Sequence, residues 1–195
     1  MIDNQITVID NCVSENIQSH IEKILTASEI PWCFNQSTLY VGGKLMDGNN
    51  DFPQTPNTLD SPMMTHMAYL LYSHPTKYFD ELKPIIQTIP NVKTFLRVKI
   101  NLTFPTPIAS KDSHYPVHVD AGINEKYKTA IYYVNDSDGD TIIFNETKNH
   151  KGVLTIKRTI TPKKGRLVIF DGDLLHAGGF PISSKHRIVI NMNFI

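Results

Sequence analysis

From about residue 93 onward the chain is a succession of short β-branched and aromatic runs. No other feature constrains its fold as strongly. The runs are TFLRVKINLTF, YPVHVD, KTAIYYVN, TIIFNE, VLTIKRTIT, RLVIFDG and HRIVINMNFI, and PTP, DSDGD, PKKG and GGFPISS fall between them. Val, Ile, Thr, Tyr and Phe suit a pleated, half-buried surface, and Gly, Pro and Asp interrupt it. Short strands at this density predict an antiparallel barrel or jelly roll. The first half reads differently. SENIQSHIEKIL carries Ile17, Ile21, Ile24 and Leu25 at helical spacing behind a Ser14 cap. SPMMTHMAYLLYS is expected to be a helix capped by Ser61, with Pro62 at its first position. In PTKYFDELKPIIQTI, Tyr78, Phe79, Leu82, Ile85 and Ile86 form an apolar stripe, and Pro84 makes that helix short or kinked. QITVID is a short strand. Residues 42–61, rich in Gly, Asn, Asp and Pro, read as a long loop and a candidate substrate lid. The fold class is therefore α+β. One domain spans 1–195, with 1–92 mainly helical support and loop and 93–195 the β core that carries the site.

Composition excludes some functions. Nineteen basic residues balance nineteen acidic ones, so there is no electrostatic footprint for duplex nucleic acid. Cys12 and Cys33 form no Cys-x-x-Cys pair and are too few for a disulfide framework, which points to a reducing compartment. MIDNQITVID lacks the features of a signal peptide, and no apolar run is long enough to span a membrane. A cytoplasmic location is expected.

HYPVHVD, residues 114–120, concentrates possible metal ligands. On a strand, residues two apart share a face, so His118 and Asp120 point the same way and Val119 the other. Pro116 interrupts the ladder before them, so His114 is expected at the rim. A third ligand has to come from elsewhere. GRLVIFDGDLLHAGG leads an apolar strand into a polar turn that ends at His176, with Gly178 and Gly179 allowing close backbone approach. Asp171 and Asp173 in that turn are read as shaping it. Two histidines and a carboxylate on one face of an octahedron leave positions open, the arrangement of non-haem Fe(II) oxygenases. In HRIVINMNFI, Arg187, Val189 and Asn191 share a strand face. If that face is the interior, Arg187 is a charge in a small cavity, suited to the distal carboxylate of a keto-acid co-substrate.

H-x-D, IYYVN, an acidic-glycine turn, GRLVIFDGDLLHAG and Arg187, in that order, resemble the 2-oxoglutarate and Fe(II)-dependent dioxygenases, nearest their prolyl-hydroxylase-like branch. The resemblance covers roughly residues 94–195. It implies a double-stranded β-helix with Fe(II) held by His118, Asp120 and His176, and Arg187 on the 2-oxoglutarate C5 carboxylate. It also implies Tyr133 as a hydrogen-bond partner of that carboxylate and Asn101 as a further co-substrate contact. DGDT at 138–141 stands where relatives have Gly-Gly-acidic. The implied co-substrates are 2-oxoglutarate and O2, with ascorbate admitted as an auxiliary, and the implied reaction is hydroxylation of a substrate C–H.

Other readings of the same residues exist. An H-x-D pair alone is more often incidental than a metal site. Tyr132 and Tyr133 would serve equally as core, and Trp32 packs by default. His20, His66, His74 and His150 have no partner spacing and read as surface or helix residues. Three functions compete: hydroxylation of a peptidyl proline or other amino-acid side chain, the same chemistry on a small molecule or nucleobase, and a non-catalytic jelly roll with a structural metal. RIVINMN does not carry the Arg-x-Asn-x-Thr-x-Arg pattern of nucleic-acid demethylases. A structural metal would have no use for Arg187 facing open positions.

Overall fold

Alternating side chains in the second half build a broad sheet with two chemically different faces. The computed structural model describes residues 5–38, 40–41, 44–45, 52–120 and 125–195. In chain order the elements are β1 (Ile6–Ile9), α1 (Glu15–Leu25), β2 (Cys33–Asn35), β3 (Tyr40–Val41), β4 (Lys44–Leu45) and β5 (Met63–Leu70). There follow α2 (Lys77–Glu81), α3 (Lys83–Ile86), β6 (Phe95–Thr103), β7 (Lys128–Tyr133) and β8 (Thr141–Thr147). The chain ends with β9 (Ile156–Ile160), β10 (Leu167–Asp171), β11 (Leu174–Gly178) and β12 (Arg187–Phe194). The main sheet has the order β1-β10-β7-β12-β6-β5-β2, a second sheet the order β11-β8-β9, and β3 pairs with β4. Every pairing between named strands is antiparallel. These open antiparallel sheets have the form of a double-stranded β-helix, with helices against one side.

The helices cover one face of the main sheet. Val98 and Ile100 of β6, Ala130 and Tyr132 of β7, and Ile188, Ile190 and Met192 of β12 share a core with Ile21 and Leu25 of α1, Tyr78 of α2 and Ile85 of α3. The intervening residues of the same strands face the other way. They are Arg97, Lys99, Asn101 and Thr103 on β6, Thr129, Ile131 and Tyr133 on β7, and Arg187, Val189, Asn191 and Asn193 on β12. Apolar residues of this inner face, Ile131, Tyr133 and Val189, pack with Ile143 of β8 and Leu174 of β11 in a separate cluster. The inner space thus lies between the two sheets.

α1 begins at the expected Ser14 cap, although the Ser14 hydroxyl makes no capping bond. Pro84 divides the later helical stretch, sitting in the first turn of α3. Several expectations are corrected. Residues 63–70 are strand rather than helix. β5 pairs with β6 and β2, and His66 and Ala68, two apart, are buried at 5% and 0% exposure. Ser61-Pro62 mimics a helix start, but two flanking strands satisfy the backbone of 63–70 only if it is extended. The buried His66 bonds Pro31 O and Thr76 Oγ1, so it is no surface residue. The first half therefore supplies β1, β2 and β5 to the main sheet as well as helices.

The second correction is that HYPVHVD forms no regular strand, only isolated bridges at His114 and His118. The third is His176, which stands inside β11 rather than at the end of a turn. Of the expected loop over 42–61, residues 42–43 and 46–51 lie outside the described residues. Residues 52–59 are strapped onto HYPVHVD. The Gln54 amide bonds both the N–H and the C=O of Val117, Thr55 Oγ1 lies 2.7 Å from His114 Nε2, and Phe52 is buried against Val117 and Val119. His114 is 3% exposed, so it is a buried anchor of this strap and not a rim residue. No described helix is long and apolar enough to cross a membrane.

Candidate active site

The inner face of β6 and β12 floors a cavity of about 250 Å³. His118, Asp120 and His176 stand at one end of it and Arg187 with Thr141 at another. The two histidines are brought together by backbone. His118 N–H donates to His176 O and His176 N–H to His118 O, both at 3.0 Å, and the rings lie 4.7 Å apart. The nearest ligand atoms of His118, Asp120 and His176 lie within 4.8 Å of one another.

Hydrogen bonding fixes the ring tautomers. His118 Nδ1 is 2.9 Å from Pro116 O, and His176 Nδ1 is 3.0 Å from Leu174 O. A carbonyl only accepts, so each Nδ1 carries the proton and each neutral ring turns an Nε2 lone pair inward. His176 Nε2 is buried with no hydrogen-bond partner, yet it stands 3.3 Å from Asp120 Oδ2. His118 Nε2 is 3.9 Å from Asp120 Oδ1. Three acceptors converge with no proton between them, which is unfavourable unless a cation takes their lone pairs. Cis ligands at about 2.1 Å from an ion stand about 3 Å apart, so the spacing fits one. Burial pushes the His118 pKa down to about 4, which keeps its ring neutral and able to ligate at pH 7.

Asp120 is held from all sides, its side chain 3% exposed. Oδ1 accepts from Arg97 Nη2 and Asn191 Nδ2, each at 2.8 Å. Oδ2 accepts from Thr129 Oγ1 and Asn193 Nδ2, each at 3.1 Å. Burial alone would raise the Asp120 pKa. The neighbouring charge of Arg97 and the other polar groups packed around the carboxylate outweigh it, and the carboxyl is held well below its ordinary range.

Arg187 is 6% exposed. Its Nε donates to Gly139 O at 2.7 Å and its Nη2 to Thr141 Oγ1 at 2.8 Å. Among the described residues no carboxylate lies within ion-pair distance of it, so its hydrogen-bond partners are neutral. Burial accordingly pulls its pKa down. Its guanidinium stands 5.8 Å from the centroid of the Tyr133 ring. The Tyr133 hydroxyl is turned to Thr141 Oγ1, 2.7 Å away. Thr141 thus accepts from both Tyr133 and Arg187, which leaves its own proton for the cavity it lines. Asn101 lines the same cavity, and its Oδ1 is buried without a partner. Close backbone approach shapes this end. A Cβ on Gly139 would stand 2.7 Å from Gly179 O, and one on Gly179 would stand 2.9 Å from Asp140 N, so neither position admits a side chain.

Asp138 joins the two turns that precede Thr141 and Arg187. It accepts from the backbone N–H of Ile182, Ser183 and Ser184 and from the Ser183 hydroxyl. Burial would raise its carboxyl pKa, but these donors hold it well below the ordinary 3.8. A depressed folded-state pKa contributes stability that is present above the unfolded value and lost as pH falls through the folded one. Asp138→Asn is expected to lower stability by about 1–3 kcal/mol at pH 7. The gap to wild type should close as pH falls below about 4, as thermal melts across pH would measure.

Sequence reasoning did not find Arg97, Thr129, Asn193, Thr141 or Tyr115. Tyr115 lines the cavity and stacks on Phe180 at 4.1 Å. A signal for Arg97 existed: RVKINLT alternates polar and apolar residues, and Arg97 shares the polar phase with Lys99, Asn101 and Thr103.

Comparison with known proteins agrees with this geometry. Residues 106–195 match a family described as the 2OG-Fe(II) oxygenase superfamily. No curated protein matches the chain by sequence. Among solved structures, the fold is similar to a prolyl hydroxylase from Trichoplax adhaerens in complex with a hypoxia inducible factor oxygen degradation domain peptide. The TM-score there is 0.61 at 11% identity, over 99% of this chain and 84% of that one. A Pseudomonas putida prolyl-4-hydroxylase gives 0.57 at 13% identity, over 98% and 92% of the two chains. A non-heme alpha ketoglutarate dependent epimerase, SnoN from nogalamycin biosynthesis, gives 0.57 at 9% identity, over 98% and 78%. At these identities the likeness carries the fold alone.

Proposed function

From the match of residues 106–195 to the 2OG-Fe(II) oxygenase superfamily, we propose that this chain is an Fe(II)- and 2-oxoglutarate-dependent dioxygenase that hydroxylates an amino-acid side chain, such as a peptidyl proline. One observation carries the reading. An unpartnered, buried His176 Nε2 faces a carboxylate oxygen in the same cavity as an Arg187 that has no carboxylate within ion-pair distance among the described residues. A cation at the first place and a dianion reaching from it to the second would satisfy both.

In this reading His118, Asp120 and His176 hold the ion. When bound, Fe(II) supplies the chemistry by which O2 and 2-oxoglutarate convert a substrate C–H to C–OH, with release of succinate and CO2. The chain's own residues position and shield. Arg187 binds the C5 carboxylate through its charge, and Thr141 offers its hydroxyl proton to the same group. Tyr133 acts at one remove, by holding Thr141, and Asn101 Oδ1 accepts from a ligand donor in the cavity. Val189 and Ile131 line the cavity between the two ends and help to exclude water. Ascorbate belongs to the same reading as an auxiliary reductant.

This order of roles gives a test. Thr141→Ala is expected to weaken 2-oxoglutarate binding about tenfold, the loss of one hydrogen bond to a charged group. Tyr133→Phe should weaken it less. Titration of the metal-loaded protein with 2-oxoglutarate measures both, and the reverse order would return Tyr133 to direct contact.

The fold's likeness to two prolyl hydroxylases supports an amino-acid substrate. A small-molecule substrate is the second reading, favoured by the fold's likeness to the epimerase and by the polar cavity wall of Asn35, Thr65, Lys99 and Asn101. Succinate release over a panel of peptides and metabolites separates them. Stimulation by a proline-containing peptide supports the first reading, and stimulation by metabolites alone supports the second.

A further inference from the structure

Asp120 is gripped unequally at its two oxygens, and the grip comes from one region of the sheet. Thr129, Asn193 and Arg97 are successive cross-strand partners on β7, β12 and β6, and Asn191 stands two residues before Asn193 on β12. Arg97 donates from Nη2 to Asp120 Oδ1 at 2.8 Å and from Nε to Asn193 Oδ1 at 3.0 Å. Asn193, 0% exposed, passes the hold on, donating to Asp120 Oδ2 and to Thr129 Oγ1. Oδ1 therefore has a charged donor and an amide donor, both at 2.8 Å. Oδ2 has two neutral donors at 3.1 Å and lies the nearer to a histidine Nε2.

We propose that Arg97 is a positioning residue that reserves Asp120 Oδ1, so that the carboxylate offers only Oδ2 to a metal ion. The inference rests on the metal-binding reading above. A charge-assisted hydrogen bond is roughly twice as strong as a neutral one. For Asp120 to chelate through both oxygens it would have to break two short bonds on Oδ1. It would also strand the Arg97 guanidinium, whose side chain is 16% exposed, beside the ion without its carboxylate. Held to one oxygen, Asp120 occupies a single position on the ion and leaves a neighbouring one for a co-substrate. Loss of Arg97 would let the second oxygen close onto the ion and compete with the co-substrate for that position.

Co(II) is a suitable probe because its visible spectrum reports coordination without turnover. Wild type, Arg97→Met and Arg97→Lys are titrated with Co(II), and each Co(II) form is then titrated with 2-oxoglutarate. Arg97→Met is expected to bind Co(II) at least as tightly as wild type, with an altered Co(II) spectrum and 2-oxoglutarate binding weakened about tenfold or more. Arg97→Lys keeps a charged donor and should restore the wild-type spectrum. Asn191→Ala removes the other Oδ1 donor without stranding a charge. It should move the spectrum and the 2-oxoglutarate affinity in the same direction by less, and it carries the test if Arg97→Met does not fold. Two results overturn the proposal. If Arg97→Met loses Co(II) binding, Arg97 only props the ligand. If the Co(II) spectrum and 2-oxoglutarate affinity of the folded variants match wild type, the ion pair is structural. Failure of wild type itself to bind Co(II) is a separate outcome: it removes the metal reading, and this proposal with it.

Discussion

Replacing His176 by alanine is expected to weaken Fe(II) binding by more than about 100-fold, since removal of a residue that merely supports a ligand already costs about 10–100-fold. The fold should survive. His176 Nε2 has no protein partner to lose, so the cost is the Nδ1 bond to Leu174 O and the edge contact with Phe170 at 5.0 Å. That amounts to about 1–3 kcal/mol. Asp120→Ala is a poorer test of ligation. It removes the acceptor for Arg97, Asn191, Asn193 and Thr129 together and leaves a guanidinium without its counter-charge, a change that costs about 3–5 kcal/mol. The two variants should therefore separate in thermal melts without metal, with His176→Ala the more stable. Titration with Fe(II) under anaerobic conditions should find both deficient.

The second large effect is expected at Arg187, where stability and binding part company. No carboxylate among the described residues lies within ion-pair distance of Arg187, and a buried charge without a close counter-ion is a burden on the fold. Arg187→Met keeps the length and apolar stem. Without ligand it is expected to melt within a few degrees of wild type or above it, because replacing a buried charge by a well-packed apolar group is often neutral or stabilising. Gly139 O and Thr141 Oγ1 lose donors and offset part of that gain. With ligand the order reverses. A charge-assisted bond to a buried carboxylate contributes about 1.5–3 kcal/mol, so 2-oxoglutarate should bind roughly 10- to 100-fold more weakly and lose its stabilising shift in melting temperature. A variant that melts far below wild type yet still takes up 2-oxoglutarate would place Arg187 in the scaffold instead.

The parts of this architecture that depend on alternation were legible in the sequence. RIVINMNF alternates so that Ile188, Ile190 and Met192 meet the helices while Arg187, Val189 and Asn191 turn inward, and that phase alone puts a cation inside. RVKINLT carries the same pattern, and its polar phase marks a second strand of the cavity floor. Residues 63–70 were misleading because a serine-proline start and an apolar run are compatible with either helix or strand. The choice is made by β2 and β6, distant in sequence. HYPVHVD pointed to the site for a reason only half physical. Pro116 prevents a regular ladder, and what sets His118 is its pair of backbone bonds to His176 rather than strand parity. Thr141 had no local signal. Its importance comes from lying between Tyr133 and Arg187 in space, a junction that no spacing along the chain encodes.

If one cavity holds an ion on His118, Asp120 and His176 and a keto acid between that ion and Arg187, anaerobic addition of Fe(II) and 2-oxoglutarate to the protein will show it. A keto acid chelated to Fe(II) gives a weak visible charge-transfer band. The band should form with wild type, be absent in His176→Ala, and need far more 2-oxoglutarate in Arg187→Met. No band in wild type, or a band that both variants leave unchanged, would contradict it.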